Sequence, residues 1–280
     1  MIDFHAHILP GLDDGARSLA DALAMAEKLV SVGFTHVVAT SHLQFDGKHK
    51  PVIQREQVEQ KVAFLNEKLG ENGINLEVLP GAELRYTPYL LQQLEKNSAL
   101  PTLSRSNYLL LELSLLQPIP PNFQRDLFLL QTRGYRPVLA HPERCLCFLE
   151  YPGSLNFLAH QNILYQVTLS SLSGHGGKKS RRLAVELVRS GLATFMGTDA
   201  HAPEDQRIGE VPRAVRMLEK EVGGEQARLL TLGNARRALD GEHIEQVEVP
   251  RETWEVKTGL SVSTFFRTML LRKKGKNDCV

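Results

Sequence analysis

Several of the ten histidines in this 280-residue chain stand where metal chemistry would need them. His5 and His7 form H-A-H directly after the apolar run Ile2–Phe4. Residues two apart on an extended segment point the same way, so both imidazoles can face one ion. Asp13 and Asp14 follow in the next loop, and His42 ends VVATSH. Glu83 follows LEVLPGA, Glu112 lies inside YLLLELS, and His141 follows PVLA. Asp199 and His201 form D-A-H after ATFMGT. Nine of these side chains (His5, His7, Asp14, His42, Glu83, Glu112, His141, Asp199 and His201) sit at or just beyond the C-terminal end of a predicted strand.

An H-x-H or D-x-H alone is a weak signal, and a lone strand-end histidine is ordinary. The joint placement is what points to a metal cluster. Four carboxylates gathered without counter-charge would repel one another until some took up protons, and divalent cations remove that conflict. Mixed imidazole and carboxylate ligation suits zinc, manganese or iron better than calcium. Glu112 is costly to bury unpaired among Leu109, Leu110, Leu111 and Leu113. Arg144, in H-P-E-R, and Arg207, six residues after His201, could grip phosphate oxygens. Either arginine alone is equally readable as a surface ion pair. His36, His49, His160, His175 and His243 lack this placement and read as surface or packing residues.

The elements that must position the nine are short apolar runs alternating with amphipathic stretches. Strands are predicted over Ile2–Phe4, His36–Thr40, Leu76–Leu79, Tyr108–Leu113, Pro137–Ala140, Leu164–Val167 and Ala193–Met196. Helical periodicity covers Leu19–Val32, Gln54–Leu69, Asn122–Arg133, Ser180–Ser190 and the whole of Pro212–Leu239. Strand–helix alternation implies a parallel sheet covered by helices, and seven strands favour a closed or nearly closed α/β barrel. In such a barrel the C-terminal strand ends converge on one face, where active sites are built. One barrel domain over 1–240 is expected, followed over 241–280 by a tail mixing apolar and basic residues.

Composition excludes little but is consistent. The net charge of +1 argues against a nucleic-acid binder, which usually shows a basic face. Three cysteines without disulfide spacing suit a reducing compartment. The N-terminus has no signal-peptide pattern and no apolar run is long enough to span a bilayer, so a cytoplasmic location is expected, with at most peripheral membrane contact through the tail. Cysteine-based phosphatase chemistry, which needs an arginine six residues after the cysteine, is not supported: Tyr151 stands there for Cys145 and Gly153 for Cys147.

The stretches DFHAHILPGLDDGA, VVATSHL, PGAELR, LLLELS, LAHPERC, QVTLSSL and GTDAHAP, in this order, resemble the polymerase and histidinol phosphatase (PHP) superfamily. Within it they are similar to the bacterial manganese-dependent protein-tyrosine phosphatases of capsule and exopolysaccharide operons. The resemblance implies a distorted (β/α)7 barrel of the PHP type and three divalent ions, manganese first, with iron, magnesium or zinc as alternatives. Carried over position by position, His5, His7, Glu83 and Asp199 would hold one ion. Glu83 would bridge to a second with Glu112 and His141, and Asp14, His42 and His201 would hold the third. Glu112 and Asp14 stand where many superfamily members carry histidine, which favours the tyrosine phosphatase branch, and Arg144 and Arg207 match the arginines that branch turns toward phosphate. GTDAHAP and SHL depart from the more usual SDAHN and PHH.

The implied reaction is phosphomonoester hydrolysis by metal-activated water. Tyrosinate, the anion of a group with pKa about 10, leaves with little protonation. The implied partner is a phosphotyrosine protein, a membrane-associated bacterial tyrosine kinase controlling capsular or exopolysaccharide synthesis. Histidinol-phosphate phosphatase or another PHP phosphoesterase on the same fold is the first alternative. A nuclease and a non-catalytic regulatory module follow, and the oligomeric state is open.

Overall fold

The computed structural model describes residues 1–43, 55–87, 90–91, 100–104 and 106–247. The expected tail from 248 onward, with its membrane contact, and His49 lie outside the described residues.

Strands form at the seven predicted runs and at two short segments that were not predicted, His42–Leu43 and Glu83–Arg85, and all pair in parallel: β1 Ile2–Ala6, β2 His36–Ala39, β3 His42–Leu43, β4 Glu77–Pro80, β5 Glu83–Arg85, β6 Tyr108–Glu112, β7 Arg136–Ala140, β8 Leu164–Thr168 and β9 Ala193–Gly197. They make two sheets, β1-β2-β4 and β3-β5-β6-β7-β8-β9. The two short strands β3 and β5 each prolong a strand that breaks and resumes after two residues. Counting β2 with β3 and β4 with β5 leaves the seven positions of a (β/α)7 barrel. The break after Ala39 has a local cause. Thr40 turns its backbone to Ala6, with its N–H donating to the Ala6 carbonyl (2.9 Å) while its hydroxyl accepts from the Ala6 N–H (3.1 Å). The ring closes between β9 and β1, where the Asp199 N–H donates to His5 O (2.7 Å) and the His7 N–H to Ala200 O (2.9 Å).

Alternation along the strands splits the apolar residues into two cores. Phe4, Val38, Tyr108, Leu110, Val138, Leu164 and Phe195 form one buried cluster, in which Phe4 and Phe195 stack at 4.0 Å. The intervening residues, Leu109, Leu111, Leu139, Tyr165 and Val167 among them, belong to the larger cluster shared with the helices. Each fully buried side chain of this size contributes roughly 1.5–3 kcal/mol, so the strands form a stiff frame for the residues at their ends. The first cluster is completed by Ala235, Ala238 and Ile244. Residues 242–247 pack onto the frame: Tyr108 Oη donates to Glu242 O (2.7 Å), and Gln246 Nε2 to Leu192 O (2.9 Å).

The helical periodicity of Pro212–Leu239 does not produce one helix. Val211–Val222 stops at Gly223, whose φ of 83° and ψ of 161° end it, and Gly224–Arg228, a π-turn over Leu229–Gly233 and Asn234–Leu239 follow. The periodicity survives because each piece buries one face, whereas the positive φ of Gly223 breaks the helix where sequence pattern alone saw continuity.

Candidate metal centre

All nine expected ligands come together at the C-terminal ends of the strands. Their donor atoms fall into four overlapping groups, each with atoms within 4.8 Å of one another: His7, Asp14, His42 and His201; His5, His141 and Asp199; His5, His7 and Glu83; and His42, Glu83 and Glu112. The grouping follows the resemblance in outline and differs in detail. His42 stands as near Glu83 and Glu112 as Asp14, and His141 groups with His5 and Asp199 while its Nε2 lies 3.0 Å from Glu83 Oε1.

Two ligands reach the centre through strained backbone. His141 (φ 32°) and Asp199 (φ 54°) are left-handed, a region that non-glycine residues seldom adopt. Each turns the chain sharply at the end of its strand, at a cost of order 1–3 kcal/mol, and such outliers cluster at functional sites. Two glycines make room. A Cβ at Gly15 would lie 2.1 Å from His7 O, and one at Gly197 would lie 2.8 Å from His5 Cβ.

The hydrogen bonds around His5 and His7 fix what their free nitrogens can do. His5 Nδ1 lies 2.9 Å from Gln166 Oε1, an oxygen that also accepts from the His141 N–H. His7 Nδ1 lies 2.7 Å from Asp13 Oδ2. Both partners are acceptors, so both protons sit on Nδ1. The two Nε2 lone pairs then face each other at 3.2 Å, with Glu83 Oε1 and Asp199 Oδ1 3.4 and 3.3 Å from His5 Nε2. One proton cannot serve all four atoms, and two would set like charges 3.2 Å apart. A cation fits. The same holds beside them, where His42 Nδ1 and Glu83 Oε2 are 2.9 Å apart without hydrogen-bond geometry and Glu112 Oε2 is buried without a partner. Orphaned buried polar atoms are rare and mark an absent ion or water.

Electrostatics agree. Burial lowers the His5 pKa, but the Glu83 and Asp199 carboxylates outweigh it and the net shift is upward. His7 is raised further: burial again opposes, and Asp13, Asp199 and Glu83 prevail. Burial pushes Glu83 up, yet the charge of His5, the hydrogen bond with His141 and the close His42 imidazole hold it well below the usual carboxylate range. Glu112 is raised by burial and then by its neighbour Glu83. Such a cluster holds protons on imidazole to neutralise carboxylates, and a metal displaces those protons on binding.

Gln166 and Asp13 were not among the expected ligands, and they orient His5 and His7 at the end of the first strand. Neither amide nor spare carboxylate gives any sign of this in the sequence, although Asp13 lies beside Asp14 in the same loop. The arginines differ from each other. Arg144 donates from Nη1 to Asp199 Oδ2 and leaves 27% of its side chain exposed. Arg207 also reaches Asp199 Oδ2 (2.6 Å), but its Nε and Nη2 are taken by Asp205 (2.9 and 2.6 Å), with Nη2 3.0 Å from His201 Nδ1. Asp199 thus offers one oxygen to the imidazoles and the other to the arginines. Of the histidines read as surface or packing residues, His36, His160 and His243 stay outside the centre, whereas His175 lines a cavity next to it.

This chain matches the family described as "Capsular polysaccharide synthesis, CpsB/CapC" over residues 1–240. It belongs to the CpsB/CapC family. This CpsB/CapC chain is 36% identical over 233 residues to the tyrosine-protein phosphatase YwqE of Bacillus subtilis, covering 82% of itself and 89% of that protein. Its fold superposes with a TM-score of 0.80 and 35% identity on a structure from the work on YwqE of Bacillus subtilis and CpsB of Streptococcus pneumoniae, which describes them as metal-dependent tyrosine phosphatases; 89% of this chain and 98% of that one are covered. A histidinol phosphate phosphatase from Lactococcus lactis, solved with zinc, L-histidinol and phosphate, matches with a TM-score of 0.51 over 80% of this chain and 94% of its own, but at 13% identity it shows a shared fold alone. Among the described residues no helix is long and apolar enough to cross a membrane.

Proposed function

We propose that the chain is a metal-dependent protein-tyrosine phosphatase acting in capsular or exopolysaccharide synthesis, with a membrane-associated bacterial tyrosine kinase as its phosphotyrosine substrate. The observation that carries the metal requirement is the meeting of His5 Nε2 and His7 Nε2 with Glu83 and Asp199 after Gln166 and Asp13 have taken both Nδ1 protons. The family and its tyrosine phosphatase relatives support the substrate.

Three divalent ions, manganese first, would be held by His5, His7, Asp14, His42, Glu83, Glu112, His141, Asp199 and His201. When bound they supply Lewis acidity toward the phosphoryl oxygens and lower the pKa of water to near neutrality. Their charge outweighs that of the four carboxylates, so the pocket attracts a phosphate dianion. Asp199 Oδ2 aims Arg144 at the centre, and the guanidinium donors left free by that contact stabilise negative charge on the phosphoryl group. Arg207, gripped by Asp205 and Asp199, fixes the orientation of Asp199 while contributing its charge at the same place. No side chain acting as a dedicated proton donor is required, because tyrosinate leaves as the anion of a group with pKa about 10.

Turnover of a tyrosine-phosphorylated peptide against histidinol phosphate tests the reading. A large preference for the peptide is expected, and a preference for histidinol phosphate would transfer the chain to the alternative activity.

A further inference from the structure

A cavity of about 390 Å³ adjoins the metal centre and shares Arg144 and Arg207 with it. Its other walls include Thr168, Ser170, Ser171 and His175, with no apolar side chain in the lining. That is a poor home for a tyrosyl ring and a good one for an anion. Thr168 is 1% exposed, and its hydroxyl has no partner although it belongs to the cavity wall. At Gly176, also in the wall, a Cβ would lie 2.7 Å from Ser180 Oγ, a second buried hydroxyl without a partner. Of the nearby carboxylates, Asp205 is held by Arg207, and Glu143 accepts through Oε1 from the Thr168 N–H (3.1 Å) and Ser171 Oγ (2.8 Å) while its Oε2 is buried without a partner; burial raises the Glu143 pKa, which favours the neutral acid beside an anion.

The chain leaves this wall as G-H-G-G-K-K-S-R-R. Lys178, Lys179, Arg181 and Arg182 are all exposed on the first turns of the helix Gly177–Arg189, whose first turn has no acidic residue. Cations at a helix N-terminus oppose the helix dipole. A local preference broken four times in five residues, next to a polar cavity, is where a functional reason is expected.

We propose that the cavity and its basic rim form a second anion subsite, which receives an acidic side chain flanking the phosphotyrosine of the protein substrate. It rests on the phosphatase reading above and adds the substrate's sequence character. The reactive phosphate would lie on the metal side of Arg144, and a carboxylate about one to three residues away along an extended peptide, at about 3.3 Å per residue, reaches the cavity side.

The test compares two phosphotyrosine peptides, one flanked by glutamates and one by alanines, with a small aryl phosphate as control. The wild-type chain is expected to favour the acidic peptide about tenfold in kcat/KM, mainly through KM, and to lose that preference as salt rises from about 0.05 M to about 0.5 M. Lys178→Glu with Lys179→Glu should abolish the preference while aryl phosphate turnover stays within about twofold. His175→Ala should reduce the preference about threefold with the same control unchanged. Equal wild-type rates on both peptides overturn the subsite. So does a variant that slows the aryl phosphate as much as the acidic peptide. Charge reversal that abolishes the preference while His175→Ala leaves it intact also overturns it, since that is long-range steering without the cavity. Failure on every phosphotyrosine substrate together with the aryl phosphate would sink the phosphatase reading and the subsite with it, whereas a flat preference at normal turnover sinks the subsite alone.

Discussion

Asp13 offers a sharp test, because it touches the centre only through its neighbours. Its Oδ2 accepts from His7 Nδ1 (2.7 Å) and from the His42 N–H (2.8 Å), and its Oδ1 from the Gly15 N–H (3.0 Å). Burial would raise its pKa, but the bond and charge of His7 with the two backbone donors bring it down to about 2 from 3.8. The side chain is 4% exposed, so solvent screening is small. A folded-state pKa below the unfolded one contributes stability that is present above the unfolded pKa and lost as pH falls through the folded one. For this shift the contribution is about 2.4 kcal/mol at pH 7 and about 1.3 kcal/mol at pH 3. Asp13→Asn keeps the size of the side chain and removes the charge. In chelator-treated protein, urea unfolding should show the variant about 2 kcal/mol less stable at pH 7, with the gap roughly halved at pH 3. Metal affinity should fall about 10- to 100-fold, as for loss of a carboxylate behind a histidine ligand. A variant as stable as wild type at pH 7 with undiminished metal affinity would refute the assignment of the His7 proton to Nδ1, and with it the argument for a cation at Nε2.

Glu112→Ala removes a carboxylate whose Oε2 is buried without a partner, so turnover should drop about 100-fold or more and the bound-metal count should fall; wild-type turnover and metal content would make Glu112 merely structural. The arginine variants should separate. Arg144→Ala should lose turnover and keep its metals. Arg207→Ala, which frees Asp199 and Asp205 and exposes His201, should lose turnover and bind metal more weakly as well, as read by metal titration of both proteins. Adding a methyl at Gly15 against His7 O should destabilise the fold by about 3 kcal/mol or more; an unchanged melting temperature for Gly15→Ala would contradict the packing at the first strand.

The positions that converge were legible because each follows an apolar run that ends where the barrel opens, as with PVLA before His141 and ATFMGT before Asp199. Strand periodicity finds such ends with no knowledge of the fold's closure. The short strands that resume after the two breaks were not legible, since the predicted strands stop at Thr40 and Leu79 and nothing local marks His42–Leu43 or Glu83–Arg85 as extended. Gly223 and Gly224 interrupt a pattern that is otherwise amphipathic, and the apolar period continues across them. The supporting residues were hidden for a different reason. Asp13 and Asp14 are adjacent and chemically alike, and only the fold decides which bonds His7 and which faces His42 and His201. Gln166 lies 161 residues from His5, and no local pattern joins them. His175 was set aside because it follows no strand, although the cavity it lines reaches Arg144 and Arg207.

If the nine converging side chains hold the divalent ions required for cleaving phosphotyrosine, activity must follow metal content. Metal content and turnover of a tyrosine-phosphorylated peptide, measured on the same preparation through chelation and manganese addition, test it most directly. Activity should vanish with the metal, return with manganese, and saturate near three ions per chain. Full activity in a preparation shown to be free of divalent metal would contradict it.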